Sequence, residues 1–149
     1  MVEESGKLCL GKSDMGDKLG RLLIAEDEDT LSYFLRQSLE DSTPPFRVEV
    51  AGAGGEALRR VVGGQFDLII VDLRLPDMDG LSLIKAVRQF DPFMKVIVMT
   101  AYGSPETEKE VRKLGIHGYV TKPFVVEDMK RMITQIVADA TVCAGGAGA

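Results

Sequence analysis

LIIVDLRLPDMDG, at residues 68–80, is the stretch of sequence that decides the fold. Its first four residues are apolar, a pattern typical of a central parallel strand buried on both faces. Asp72 comes directly after them, and the Pro, Asp and Gly residues that follow predict a turn. Ligands of open α/β sheets bind in the crevice beyond the carboxyl ends of the strands. Asp72 is therefore placed for chemistry, and the other strand ends decide which groups it meets.

The composition excludes several classes of protein. A chain of 149 residues, 45% hydrophobic and 28% charged, is typical of one soluble globular domain with a single core. A formal net charge of -5 without a Lys/Arg cluster argues against direct nucleic-acid binding. No apolar run approaches the roughly 20 residues of a membrane span, and the first residues do not form a secretory signal. We therefore expect a cytoplasmic protein that binds neither nucleic acid nor membrane.

Apolar periodicity predicts five strands that alternate with five helices. The strands are expected at residues 21–25, 46–51, 68–72, 94–100 and 118–121, and the last helix at residues 127–138. Ser104 and Pro105 predict the start of the fourth helix, and Gly115 its end. In the first helix, one stripe of side chains has the spacing of a buried face: Leu31, Phe34, Leu35, Ser38 and Leu39. Helical crossovers between strands predict an α/β, doubly wound parallel sheet with helices on both faces.

The two ends of the chain show no periodic pattern. Residues 1–18 are predicted to form a flexible leader, residues 19–138 the folded domain, and residues 139–149 a disordered tail. Cys9 and Cys143 lie in these end segments and lack the spacing of a metal site or a C-x-x-C redox pair. We interpret them as incidental thiols of a reducing compartment.

Polar residues stand at the carboxyl ends of four predicted strands. Glu26 and Asp27 follow the first strand, and Asp72 ends the third. Thr100 ends the fourth, and Lys122 follows the fifth. Each residue alone has a simpler explanation, such as a first-turn acid, a turn residue, a strand former or a solvated charge. Because the carboxyl ends of parallel strands meet at one edge of a sheet, we expect the five residues to form one site.

The residue types at these strand ends indicate phosphoryl chemistry. Three carboxylates close together repel one another unless a cation lies between them, and oxygen ligands alone suit Mg²⁺ or Mn²⁺. Lys122 and Thr100 add an ammonium and a hydroxyl group that would orient phosphoryl oxygens. Aspartate is itself a known nucleophile toward phosphorus. Asp72 is therefore a candidate acceptor of a phosphoryl group.

Four motifs at the strand ends resemble the receiver domain of two-component response regulators. They are IAEDED at residues 24–29, VDLRLPDMDG at 71–80, MTAY at 99–102 and GYVTKPF at 118–124. The resemblance covers about residues 20–138, and the spacing from Thr100 to Tyr119 and Lys122 is also that of the family. It implies a flavodoxin-like (βα)5 fold with the strand order 2-1-3-4-5.

The resemblance implies a role for each residue of the predicted site. Asp72 would be the phosphoacceptor, and Thr100 and Lys122 would contact the phosphoryl oxygens. Glu26 and Asp27 would hold Mg²⁺ together with Asp72, with Mn²⁺ as a substitute. Glu26 stands where the family often has Asp, and its longer side chain would reach the metal through a water.

Further expectations come from the same resemblance. The backbone carbonyl of Arg74 would be an additional metal ligand, and the Arg74 side chain would border the phosphoryl group and influence its lifetime. Tyr119 would be the switch aromatic, turning inwards when Thr100 moves towards the phosphate. The Lys122–Pro123 peptide bond would be cis.

The implied function is a phosphorylation-dependent signalling switch rather than an enzyme. A sensor histidine kinase or a phosphotransfer protein would donate the phosphoryl group to Asp72. The response would change the surface of the fourth helix, the fifth strand and the fifth helix, which would bind an output partner or a second copy of the chain. The alternative is a degenerate receiver that serves as a phosphorylation-independent docking or dimerisation module.

Other functions on this architecture fit the sequence less well. An aspartate-nucleophile phosphohydrolase usually carries a second acid two positions after its nucleophile, where this chain has Arg74. A flavin-binding carrier needs a phosphate cradle after the first strand, where Glu26 and its acidic neighbours would repel a phosphate. His117, the single histidine, precedes the fifth strand at the edge opposite Asp72, so we expect a surface role for it.

Overall fold

The structure, a computed structural model, describes residues 20–146, with side chains as far as Ala138. Five strands alternate with five helices in this part of the chain. The strands are β1 (Gly20–Ala25), β2 (Phe46–Ala51), β3 (Leu68–Asp72), β4 (Lys95–Thr100) and β5 (Gly118–Thr121). The helices are α1 (Asp29–Glu40), α2 (Gly54–Gly63), α3 (Gly80–Phe90), α4 (Pro105–Arg112) and α5 (Val126–Gly146).

The five strands form one parallel sheet in the order β2-β1-β3-β4-β5. The predicted doubly wound α/β fold and its strand order 2-1-3-4-5 are confirmed. Ala25 pairs with Val71, Val71 with Val98, and Val98 with Tyr119. This register aligns the strand ends, so the residues that follow these pairs emerge at one edge of the sheet.

The sheet separates two hydrophobic clusters, and alternate residues of each strand face one or the other. Leu23 and Ile69 face a cluster that includes residues of α2, α3 and α4. Leu22 and Ile70 face a cluster with residues of α1 and α5. Every residue of β3 is buried. Because burying a Leu or Ile side chain contributes about 1.5–3 kcal/mol, the apolar run of β3 fixes the position of Asp72 at its end.

The buried face of α1 differs from the predicted stripe. Leu35 and Leu39 are fully buried, but Phe34 is 58% exposed, so its predicted place in the core is wrong. Ser32 is buried instead, and its hydroxyl lies 3.2 Å from each of two backbone oxygens at the start of the helix. Successive residues of a helix are turned by about 100°, so Phe34 leaves the line through Leu35 that faces the sheet.

The predicted start of α4 is confirmed. Ser104 Oγ accepts a hydrogen bond of 3.1 Å from the Thr107 backbone N–H, and Pro105 is the first residue of the helix. The helix ends at Arg112, and Gly115 follows with φ of +79°. This left-handed conformation favours glycine, which explains where the helical pattern stops.

Arg88, near the end of α3, binds backbone carbonyls at the amino-terminal edge of the sheet. Its Nε lies 2.9 Å from the Leu114 oxygen, its Nη1 2.6 Å from the Met94 oxygen and its Nη2 2.9 Å from the Gly115 oxygen. Met94 precedes β4, and Leu114 and Gly115 follow α4. One side chain therefore joins three consecutive elements of the fold.

Helix α5 is longer than predicted. Its backbone is helical from Val126 to Gly146, so residues 139–146, expected in a disordered tail, continue the helix. Proline is absent from this segment, and its glycines come only at the end, so the sequence does not interrupt the helix earlier.

Some predicted features fall outside the described residues or away from the site. The predicted leader, residues 147–149 and the side chains of Cys9 and Cys143 lie outside the described residues. The Lys122–Pro123 peptide bond is cis, as expected, and the Thr43–Pro44 bond is cis as well. Among residues 20–146, no helix combines the length and the apolarity needed to traverse a bilayer.

Candidate functional site

Polar side chains converge at the carboxyl edge of the sheet. Glu26 follows β1, Asp72 ends β3 and Thr100 ends β4, and all three are buried. Lys122 follows β5, and its Nζ donates hydrogen bonds of 2.7 Å to Glu26 Oε1 and 2.8 Å to Asp72 Oδ2. Asp27, next to Glu26, is exposed. The structure thus brings residues from four strand ends into one site.

One ammonium group is shared between two buried acids. Burial alone would lower the pKa of Lys122, but the hydrogen bonds to Asp72 and Glu26 outweigh it and raise this pKa above its usual value. Burial raises the pKa of Glu26 to about 7, against the opposing effects of Lys122 and of the Glu28 backbone N–H, 2.9 Å from Oε2. The nearby Asp72 also contributes to this raised pKa of Glu26. A second cation would therefore stabilise the ionised site.

Three carboxylates form a candidate metal site beside this bridge. Oxygens of Glu26, Asp27 and Asp72 lie within 4.8 Å of one another. Hard divalent cations prefer such oxygen ligands, and Mg²⁺ binds through a few carboxylates while keeping water ligands. Because Asp27 is exposed, the cluster is accessible from solvent. The donor set therefore fits Mg²⁺.

The turn after β3 orients the Asp72 carboxylate. Asp72 Oδ1 accepts a hydrogen bond of 2.9 Å from the Arg74 backbone N–H, while Oδ2 accepts the bond from Lys122. At the end of the turn, the Gly80 N–H donates 2.8 Å to the Leu73 oxygen. A Cβ at Gly80 would come within 2.6 Å of the Asp72 backbone oxygen, so this close approach requires glycine. Both carboxylate oxygens of Asp72 are held in place by the protein itself.

Thr100 presents a hydroxyl group at the neighbouring strand end. Its Oγ1 accepts a hydrogen bond of 3.1 Å from the Tyr102 backbone N–H. This bond uses an oxygen lone pair and leaves the hydroxyl hydrogen free to be donated to a ligand oxygen. A cavity of about 250 Å³ opens beside Thr100, between the turn after β3 and helix α4. This cavity therefore borders helix α4, which belongs to the surface expected to change on phosphorylation.

The sequence matches the family model of the response regulator receiver domain over residues 22–134. The chain belongs to the response regulator receiver domain family. The match runs from β1 into α5 and includes every residue of the converging site. Receiver domains are signalling phosphoacceptor domains that interact with histidine kinases or phosphotransfer proteins, and phosphorylation with Mg²⁺ is typical of them.

Curated relatives of this receiver domain are response regulators. It is 41% identical over 113 residues to the virulence transcriptional regulatory protein PhoP of Salmonella typhimurium, covering 75% of this chain and 50% of PhoP. It is 31% identical over 115 residues to the regulatory protein AtoC of Escherichia coli, covering 77% of this chain and 24% of AtoC. The chain spans about a fifth to a half of the length of the curated relatives it matches.

Solved structures of receiver domains have the same fold. A CheY-like receiver domain from Methanospirillum hungatei superposes with a TM-score of 0.77 at 30% identity, covering 82% of this chain and 96% of the other. The chemotaxis response regulator CheY4 of Vibrio cholerae gives a TM-score of 0.73 at 29% identity, covering 80% of this chain and 99% of CheY4. The predicted family is therefore confirmed from both sequence and structure.

Tyr119, the expected switch aromatic of this receiver domain, lies on β5 with a buried hydroxyl group. This hydroxyl has no hydrogen-bond partner among the described residues, and burial raises its pKa. Gly103 makes room for it, because a Cβ there would overlap the Tyr119 oxygen. The same Cβ would approach Thr100 Cγ2 to 3.3 Å. The aromatic ring therefore packs onto the segment that follows Thr100.

Sequence patterns did not predict two contacts around the site. The Arg74 guanidinium stacks on the Tyr102 ring, 3.9 Å from its centroid. The Asp77 carboxylate binds the backbone N–H groups of Gly54 and Gly55 at 2.7 and 2.9 Å. Each contact joins segments far apart in sequence. The sequence signal for the first is that Arg74 and Tyr102 each stand two positions after a residue of the site.

His117 lies at the edge of the sheet opposite the site. Its Nδ1 accepts a hydrogen bond of 3.2 Å from the Val96 backbone N–H, and its own backbone N–H donates 2.7 Å to the Val96 oxygen. Desolvation, together with Lys95 and Arg88, lowers the pKa of His117. These contacts extend the pairing of β4 at its amino end and are remote from Asp72.

Proposed function

We propose that this receiver domain is a phosphorylation-dependent signalling switch in which Asp72 accepts the phosphoryl group. The observation that carries the proposal is the bridge from Lys122, whose ammonium lies 2.8 Å from Asp72 Oδ2 beside carboxylates that fit Mg²⁺. A sensor histidine kinase or a phosphotransfer protein would be the donor, and the cytoplasm the compartment. The phosphoacceptor chemistry typical of the family supports this assignment.

The transfer forms one bond and breaks one. A carboxylate oxygen of Asp72 attacks phosphorus and forms a P–O bond, while the P–N bond to the donor histidine breaks and its electron pair returns to the imidazole. Lys122 and Thr100 would contact the phosphoryl oxygens and stabilise their negative charge. The chain would act on no separate substrate; it would promote only its own phosphorylation and dephosphorylation.

The ligands of Mg²⁺ would come from two strand ends and one turn. Glu26, Asp27 and Asp72 would contribute their carboxylates, and Arg74 its backbone carbonyl. Bound Mg²⁺ supplies positive charge that offsets both the acids and the phosphoryl oxygens. Mn²⁺ suits the same oxygen ligands. The close spacing of the carboxylate oxygens supports this ligand set.

The response to phosphorylation would run from Thr100 to Tyr119. Thr100 would donate its hydroxyl hydrogen to a phosphoryl oxygen and draw the following segment towards Asp72. Gly103 lies in this segment and against the Tyr119 hydroxyl, so its movement would change the packing of the ring. A buried hydroxyl without a partner costs about 1–3 kcal/mol, which favours a second arrangement of Tyr119 that is close in free energy.

The surface of α4, β5 and α5 would carry the response to an output partner or to a second copy of this chain. Its two helices present charged residues of both signs: Glu106, Glu108, Lys109, Arg112, Lys130 and Arg131. A mixed surface of this kind fits a protein partner better than nucleic acid. We assign these functions to a receiver domain formed by residues 19–138.

Incubation with acetyl phosphate, with and without Mg²⁺, tests the proposal by mass spectrometry. The intact protein should gain one phosphoryl group only with Mg²⁺, and Asp72→Ala should gain none. Asp41→Ala, which changes an exposed aspartate at the end of α1, is the matched control and should behave like the wild type. A wild type that responds to neither acetyl phosphate nor beryllofluoride would contradict the proposal and favour the phosphorylation-independent docking module.

A further inference from the structure

The turn between β3 and α3 is tied to helix α2 by a carboxylate. Asp77 Oδ1 accepts a hydrogen bond of 2.7 Å from the Gly54 backbone N–H, and Oδ2 accepts one of 2.9 Å from the Gly55 N–H. These donors are the first two residues of α2, and Ala53, at the N-cap position, has no side-chain oxygen to bind them. Asp77 therefore caps a helix that precedes it in the chain.

The turn also packs closely against the start of α2. A Cβ at Gly54 would overlap the Met78 side chain, and a Cβ at Gly55 would come within 3.2 Å of Asp77 Oδ2. The two glycines thus let the turn reach the helix backbone. The N–H groups of Gly55 and Gly54 lower the pKa of Asp77, so its carboxylate is ionised at neutral pH and interacts favourably with the helix dipole.

The same turn carries the backbone that follows Asp72. Its first residues are fixed by the hydrogen bond from the Arg74 N–H to Asp72 Oδ1. Arg74 and Asp79 then pair as an isolated antiparallel bridge, which closes a short loop that contains Pro76 and Asp77. Since proline fixes its own φ, this loop has little freedom, and a displacement of Asp77 reaches the backbone at position 74.

We propose that Asp77 is a positioning residue for the metal site. By holding the turn against α2, it fixes the place of the Arg74 backbone carbonyl relative to the carboxylates of Glu26, Asp27 and Asp72. The inference rests on the proposed function, in which that carbonyl is a ligand of Mg²⁺. Helix α2 then supports the metal site through the two hydrogen bonds of Asp77. Binding of Mg²⁺ would in turn change the environment of the Gly54 amide, although this amide is not a ligand.

Calorimetric titration with Mg²⁺ alone tests the inference. Asp77→Ala should weaken Mg²⁺ binding about threefold to tenfold, less than the roughly 10- to 100-fold loss expected for a group bonded directly to a metal ligand. Asp77→Asn keeps one acceptor oxygen and should fall between Asp77→Ala and the wild type. Val61→Ala is the control, because it truncates a buried side chain of α2 about two helical turns beyond the amides that Asp77 binds. It should lower Tm and leave the affinity for Mg²⁺ unchanged.

NMR spectra of the Gly54 and Gly55 amides give a second readout. Both signals should shift as Mg²⁺ binds to the wild type, and the shifts should be lost in Asp77→Ala. If Asp77→Ala binds Mg²⁺ as tightly as the wild type, or Val61→Ala loses affinity equally, the inference is wrong and the proposed function stands. If the wild type binds no Mg²⁺, the proposed function fails and the inference with it. Should Asp77→Ala not fold, Asp77→Asn carries the same comparison.

Discussion

Lys122 donates a hydrogen bond of 2.8 Å to Asp72 Oδ2 across 50 positions of sequence. Its second bond, of 2.7 Å, goes to Glu26. The side chains of Lys122, Asp72 and Glu26 are 16%, 7% and 1% exposed, so water screens these charges poorly. This ammonium is the cation that the protein itself supplies to balance the two buried acids.

Lys122→Met should destabilise the metal-free domain and abolish phosphorylation of Asp72. Removing one partner of a buried ion pair costs about 3–5 kcal/mol, because the remaining charge is left without compensation. Urea unfolding measures the loss. Lys130→Met is the matched control: its partner Glu127 is 3.6 Å away with a side chain 69% exposed, and such pairs contribute about 0–1 kcal/mol. Equal stability of the two variants would contradict the role of the bridge.

Gly80→Ala should force the end of β3 and the start of α3 apart. The new Cβ would lie 2.6 Å from the Asp72 oxygen and 2.7 Å from Leu73 Cα, so the backbone itself would have to shift. Overpacking of this kind costs about 1–3 kcal/mol, and the shift of Asp72 should also weaken Mg²⁺ binding. In Gly63→Ala the added Cβ meets nothing within 4 Å beyond its chain neighbours and the backbone of its own helix among the described residues, so thermal unfolding of that variant should change little.

Gly103→Ala should displace the Tyr119 hydroxyl from its buried position. Burial holds the pKa of Tyr119 above its ordinary value, so displacement into solvent should lower it towards about 10. Spectrophotometric titration of the tyrosines measures this change, and Tyr119→Phe identifies which titration belongs to residue 119. A titration curve unaltered by Gly103→Ala would mean that the ring does not pack on the segment after Thr100.

Stability should fall when the pH is lowered through the titration of His117. The hydrogen bond from Val96 N–H to Nδ1 needs the neutral ring, and desolvation, Lys95 and Arg88 lower the pKa of His117 in the folded state. The unfolded state therefore takes up the proton first. The contribution to stability is complete above the unfolded pKa of about 6.5 and is lost as the pH falls through the lower folded pKa.

Urea unfolding of wild type and His117→Asn, from neutral pH to about pH 5, measures this contribution. The amide side chain of the variant would keep an acceptor near Val96 but would not titrate. The difference in stability between the two proteins should therefore change with pH in this window. A constant difference would show that His117 is not the responsible group.

Much of the fold follows from the sequence because its signals are local. Four apolar residues before Asp72 define a strand buried on both faces, and Ser104 and Gly115 mark where α4 starts and where its helical pattern stops. The order of the strands does not follow from local signals, because periodicity does not say which strands are neighbours. The family resemblance supplied that order. Phe34 shows the limit of helical spacing, since the line of contact with the sheet decides which side of a stripe is buried.

The composition of the candidate site was also predictable, because its polar residues end apolar strands. The distances within it were not. That one ammonium serves both Glu26 and Asp72 depends on how β1, β3 and β5 are aligned across the sheet. The contact between Asp77 and α2 depends on how the turn after β3 approaches the start of that helix, and no pattern within either segment encodes it.

Arg88 links neighbouring elements at the edge of the sheet opposite Asp72. By holding the backbone before β4 and after α4, it ties down the end of the domain farthest from Asp72. Phe93, which is 85% exposed, lies in the loop between α3 and β4, next to Met94, whose backbone oxygen binds Arg88. A dye or a surface tether attached at position 93 would therefore mark the edge opposite Asp72, as one end of a distance measured across the domain to the proposed phosphorylation site.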